Sequence, residues 1–141
     1  MRFWDSSAVV PLVCPEKPSR TCRSWLRLDP IMLVWALAAI EVISALSRKR
    51  REGALGGAVF AAGKRRLASL EQAWNEVAQY DAVRARARRL LELHPLRGAD
   101  ALHLAAALVA VEDRPQAIDF VTFDGRLAEA AEREGFRVLT A

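Results

Sequence analysis

At 141 residues, 52% hydrophobic and 27% charged, the chain can bury a core without disulfides or structural metal, and it is too apolar to be disordered. That length predicts one domain over residues 1–141. Its longest apolar runs, such as Ile31–Ile40, are too short to span a bilayer, while a net charge of +4 and a pI near 9.7 favour anionic partners.

Met1–Trp4 reads as a short strand. Asp5-Ser6-Ser7 follows, and either serine can cap a helix over Ala8–Cys14, which places Pro11 near the first turn. Pro15 and Pro18 mark a loop before a helix over Arg20–Leu28. Asp29-Pro30 is a turn, and Ile31–Trp35 is a buried strand. Ala36–Arg51 has helical periodicity, with Glu41 on its apolar face. After Gly53, Gly56 and Gly57, helices are predicted over Val59–Asn75, Asp81–Leu93 and Ala99–Glu112. Phe120–Thr122 reads as a strand, Arg126–Glu134 as a helix ended by Gly135 in a left-handed cap, and Arg137–Leu139 as a last strand. This order, with long crossovers, predicts an α/β fold around a mostly parallel sheet.

Four acids stand out because their surroundings are apolar or small: Asp5, Glu41, Asp100 and Asp124. A lone buried carboxylate is costly, and converging carboxylates repel unless a cation lies between them. In open parallel sheets, ligands bind beyond the carboxyl ends of the strands. Asp5 and Asp124 lie just past two strands on that edge, whereas Asp119 begins its strand at the opposite edge and is set aside. Asp100 falls in the first turn of its helix, where the dipole favours an ionised carboxylate. Hard oxygen donors suit Mg²⁺ or Mn²⁺, ions that activate water and stabilise charge on a phosphodiester. The pattern therefore predicts a metal-dependent nuclease.

Between Arg48 and Arg66 lie seven basic residues and one acid, Glu52, a local balance of +6. The clusters Arg48-Lys49-Arg50-Arg51 and Lys64-Arg65-Arg66 are candidates for RNA backbone contact, or for an acidic partner segment. Cys14 and Cys22 match no zinc spacing and are expected as free thiols. His103, one turn after Asp100 among leucines and alanines, reads as a packed side chain. No signal-peptide pattern opens the chain, so a cytoplasmic location is expected. There is no phosphate-binding glycine motif, and Ser7 stands where a haloacid-dehalogenase-type phosphatase requires a second acid.

Four segments, in order, resemble the motifs of PIN-domain ribonucleases. They are Asp5-Ser6-Ser7-Ala8-Val9-Val10, Glu41-Val42-Ile43-Ser44-Ala45-Leu46, Gly98-Ala99-Asp100-Ala101-Leu102-His103-Leu104-Ala105-Ala106-Ala107 and Phe120-Val121-Thr122-Phe123-Asp124-Gly125-Arg126-Leu127. Size and the helical pair after Glu41 are similar to VapC-type toxins of toxin–antitoxin pairs. The resemblance implies a PIN-like, Rossmann-like three-layer α/β/α sandwich and a Mg²⁺- or Mn²⁺-dependent endoribonuclease. It implies Asp5, Glu41, Asp100 and Asp124 as metal-binding and catalytic residues, with Ser6 and Thr122 in support. It also implies a homodimer, a cognate antitoxin and a structured RNA substrate such as tRNA or rRNA. The alternatives are a PIN-like module that holds RNA or protein without cutting, and a nuclease directed at DNA.

Overall fold

The computed structural model describes residues 1–141. Its elements, in chain order, are β1 (Arg2–Trp4), α1 (Ser6–Val13), α2 (Ser19–Leu28), β2 (Met32–Trp35), α3 (Ala38–Arg51), α4 (Gly57–Ala73), β3 (Asn75–Val77), α5 (Tyr80–Leu93), α6 (Gly98–Ala110), β4 (Asp119–Val121), α7 (Gly125–Arg133) and β5 (Arg137–Leu139). A short 3₁₀ turn, Pro115–Ala117, leads into β4.

The strands form one sheet in the order β3-β2-β1-β4-β5, and every pairing is parallel. Successive side chains along a strand face opposite sides of the sheet, so each strand feeds two cores. On β1, Phe3 joins a core made with α5, α6 and α7, where it stacks on Phe120 at 5.2 Å. Trp4 joins the opposite core, with α1, α3 and α4. The result is three layers, helices on both faces of a parallel sheet. Helix α6 is buried on most of its circumference, and its alanines let it lie close to the sheet. Cys14 and Cys22 are free and buried, and burial pushes the Cys22 thiol up to about 11.

Chain order reverses direction between β1 and β4, the strands that run side by side at the centre of the sheet. That switch point leaves a crevice at the carboxyl ends of the two strands. Residues just past β1 and β4, and the start of α1, face it.

Three details differ from what the sequence predicts. Helix α1 begins at Ser6 and is capped by Asp5, not by a serine. Pro11 therefore lies in the second turn and removes the helical donor for the Ser7 carbonyl. The predicted helix over Val59–Asn75 stops at Ala73, and Asn75–Val77 forms the edge strand β3. Gly135 does adopt a left-handed φ of 98°, where an added Cβ would lie 3.0 Å from Pro115 Cγ.

Candidate active site

Asp5 follows β1 directly and is 2% exposed. Its Oδ1 accepts the N–H groups of Ser7 at 2.5 Å and Ala8 at 3.3 Å, two of the donors at the start of the helix. Its Oδ2 accepts the Thr122 hydroxyl at 2.5 Å. Thr122 sits just past β4 and is itself fully buried. The same Thr122 Oγ1 accepts the Asp124 N–H at 3.0 Å. Asp124 in turn caps α7, with its Oδ1 2.8 Å from the Leu127 N–H. One hydroxyl thus ties the end of β1 to the end of β4.

Glu41 comes from the first turn of α3. One of its oxygens, Oε2, accepts two bonds of 2.8 Å, from the Ser6 hydroxyl and from His103 Nε2. His103, on α6 and 2% exposed, leaves its Nδ1 without a partner. Burial pushes the Glu41 carboxyl up, but the hydrogen bond and charge of His103, aided by Ser6, outweigh it, and the group stays below the usual range. Burial also pushes His103 down; the Glu41 hydrogen bond and the charges of Asp5, Glu41 and Asp100 reverse that and raise it.

Asp100 lies in the first turn of α6. Burial raises its carboxyl above the usual range, and the nearby charges of Asp124 and Asp5 raise it further, against a hydrogen bond from the Arg97 backbone. Asp5, Glu41, Asp100 and Asp124 all line one cavity of about 570 Å³, with Ser6, Ser7, Ser44 and His103. Arg48 and Arg97 stand in the same wall.

The donors are carboxylates and hydroxyls without a thiol, the chemistry that hard divalent cations prefer. The mutual repulsion at Asp100 is what a cation would relieve. No three His, Cys, Asp or Glu side chains, however, are already grouped in a ligating arrangement.

The basic clusters are dispersed by helical geometry. Arg48 faces the acidic cavity, while Lys49 pairs with Glu16 at 2.7 Å. Arg50 lies against Gly57, and Arg51 and Arg65 are exposed without an ion pair. Lys64 sits 4.9 Å over the Phe60 ring, and Arg66 donates to the Val13 carbonyl at 3.4 Å. From sequence, His103 reads as packing alone; it is packed, yet its ring also holds Glu41. Its spacing one turn after an acid was the available signal. Arg97, Ser7 and Ser44 carried no signal apart from their neighbours.

The chain matches the PIN domain family over residues 2–133. Ribonuclease VapC45 of Mycobacterium tuberculosis (strain CDC 1551 / Oshkosh) is 34% identical to it over 140 residues, which span 99% of this chain and 94% of that protein. Ribonuclease VapC46 of Mycobacterium tuberculosis (strain ATCC 25618 / H37Rv) is 33% identical over 143 residues, 97% of this chain and 95% of that protein. The crystal structure of FitAcB from Neisseria gonorrhoeae superposes with a TM-score of 0.66 at 15% identity, covering 99% of this chain and 96% of that one. That of VapC20 from Mycobacterium tuberculosis, a sarcin-ricin loop cleaving toxin, gives 0.64 at 19% identity, with 96% of each chain covered. The α/β fold is shared with those structures, the match spans nearly all of the chain, and the protein belongs to the PIN domain family.

Proposed function

We propose that this protein is a Mg²⁺- or Mn²⁺-dependent endoribonuclease, one PIN domain over residues 1–141, acting in the cytoplasm as the toxin of a toxin–antitoxin pair. The observation that carries the reading is the meeting of Asp5, Glu41, Asp100 and Asp124, from four separate elements, on one cavity at the switch point of the sheet. The relatives named above as ribonucleases support it. A cognate antitoxin, a homodimeric state and a structured RNA target such as tRNA or rRNA belong to the same proposal.

In this reading the four carboxylates hold the cation. When bound, such an ion lowers the pKa of a water and offsets charge on the phosphodiester. The protein's own residues do the positioning. Ser6 and His103 occupy Oε2 of Glu41, and the start of α1 with Thr122 occupies both oxygens of Asp5, so neither carboxylate can swing freely. Arg48 and Arg97 supply the positive charge in the wall that a phosphate requires.

The lack of a preformed ligating group favours a second reading, a PIN-like module that binds RNA or protein without cutting. Calorimetric titration with Mn²⁺ separates the two. The endoribonuclease reading expects heat of binding that Glu41→Gln removes, and RNA cleavage in Mn²⁺ that Asp5→Asn abolishes. Cleavage undiminished in Asp5→Asn, or no metal uptake by the parent, rejects it.

A further inference from the structure

A second cavity, of about 550 Å³, opens where the end of α1 meets the start of α2 and the flank of α4. Its wall carries Lys17, Arg20, Arg23 and Arg66, all exposed, and one carboxylate, Glu16. Lys49 already neutralises Glu16 at 2.7 Å. None of the four lining cations has a carboxylate partner. This concentration is not a solvated helix face: the charges come from a loop and two helices and surround one concavity. Like charges so gathered repel, and an anion entering between them relieves the repulsion.

Four cations spread over a loop and two helices favour a chain of phosphates over a single ion. Arg23 and Arg66 also line a neighbouring cavity of about 290 Å³ between α2 and α4, whose other walls, Leu12, Leu26, Ser69 and Leu70, add no cation. Guanidinium groups take phosphate oxygens two at a time. Helix α1 connects this wall to the acidic cavity. Ser6, Ser7 and Val10 line one, and Pro11, Leu12 and Cys14 line the other. Val10 lines the acidic cavity and the adjacent Pro11 lines this one, so α1 forms the partition between them. Helix α3 makes the same link, with Arg48 in the acidic cavity and the adjacent Lys49 on Glu16.

We propose that this cavity is a second phosphate site, which holds the RNA backbone away from the bond to be cut. The inference rests on the ribonuclease reading above. It makes Arg20 and Arg23 contributors to affinity for long RNA, with no part in the chemistry.

The test is the double variant Arg20→Glu with Arg23→Glu, with its melting curve taken to establish folding. Binding of a long hairpin RNA is followed by fluorescence anisotropy at several salt concentrations, and cleavage is measured on that hairpin and on a tetranucleotide. Affinity for the hairpin is expected to fall about tenfold or more, and the salt slope to shrink by roughly 0.7 for each phosphate that the variant no longer neutralises. Cleavage of the tetranucleotide stays at the parental rate. Parental cleavage combined with unchanged hairpin affinity and slope in the variant overturns the second site alone. An equal loss on the tetranucleotide also overturns it, since a backbone contact away from the cut bond cannot act on so short an RNA. A variant that keeps hairpin affinity but loses binding of poly-L-glutamate assigns the cavity to an acidic protein segment instead. A parent that cleaves neither RNA rejects the ribonuclease reading, and this inference falls with it.

Discussion

Asp119 and Asp124 flank the same short strand, β4, and the two ends of that strand treat an aspartate in opposite ways. At the amino end, Asp119 accepts bonds from Arg137 Nε at 2.6 Å, Arg137 Nη2 at 2.7 Å and Arg2 Nε at 3.1 Å. The Arg137 hydrogen bond, helped by Arg2, holds its carboxyl below the usual range. At the carboxyl end, Asp124 shares its surroundings with Asp5 and Asp100, and Asp100 is raised. The first edge is electrostatically complete. The second concentrates negative charge in which His103 with Glu41 is the one ion pair, although Arg48 and Arg97 stand in the same wall. An acid paired with arginine is explained by structure, while acids gathered with few ion pairs are what the proposed cation would relieve.

The comparison breaks most sharply at Asp100. Asp100→Asn is expected to reduce Mn²⁺-dependent RNA cleavage by about 10³-fold or more, since several kcal/mol of transition-state stabilisation depend on the ion. The same substitution removes a repelling charge, so the metal-free protein should melt slightly higher, by roughly 1–3 °C. Lower melting together with full activity would show that Asp100 is an ordinary helix-start charge.

His103 comes next. His103→Ala frees Oε2 of Glu41 from one of its two donors and should weaken Mn²⁺ binding and turnover by about 10–100-fold. His103→Gln, which keeps a donor, should restore part of both. Equal losses in the two variants would assign His103 to packing alone. Asp119→Asn is the counterpart at the other edge. It should lower Tm by a few degrees while leaving cleavage unchanged, and a loss of cleavage would erase the distinction between the edges.

The smallest effect is on the pH profile of stability. His103 is raised from 6.5, so its contribution is complete below 6.5 and fades as pH rises through its higher folded value. Glu41 is lowered from 4.5, so its contribution is complete above 4.5 and is lost as pH falls through its lower folded value. The Tm difference between the metal-free parent and Glu41→Gln should therefore be greatest between pH 4.5 and 6.5. A difference that does not vary with pH would mean that the pair makes no electrostatic contribution.

Much of this arrangement is legible in the sequence because it follows from strand ends and helix starts. The position of Asp119 relative to Phe120 is enough to set it apart from Asp124. The five-stranded sheet is less legible. Asn75-Glu76-Val77 is short, mostly polar and preceded by a strong helix, and only its pairing with Leu33–Trp35 makes it a strand. Local preference is weak against such a tertiary contact. The cap of α1 falls on Asp5 and not on a serine because aspartate and serine are near equals at a helix start, and three candidates stand in a row. His103 is half legible. Its burial follows from apolar neighbours, but contact with Glu41 depends on how α3 and α6 meet, which periodicity does not encode.

Asp5 carries two duties that cannot be separated by deletion. Its carboxylate starts α1 through the N–H groups of Ser7 and Ala8, and it also lines the acidic cavity. Alanine there would cost about 1 kcal/mol of helix capping besides any catalytic loss, whereas asparagine keeps a capping oxygen. Alanine at this residue therefore weakens the fold along with any chemistry. Asparagine is the exchange that separates the two duties, because it keeps the cap and gives up the charge.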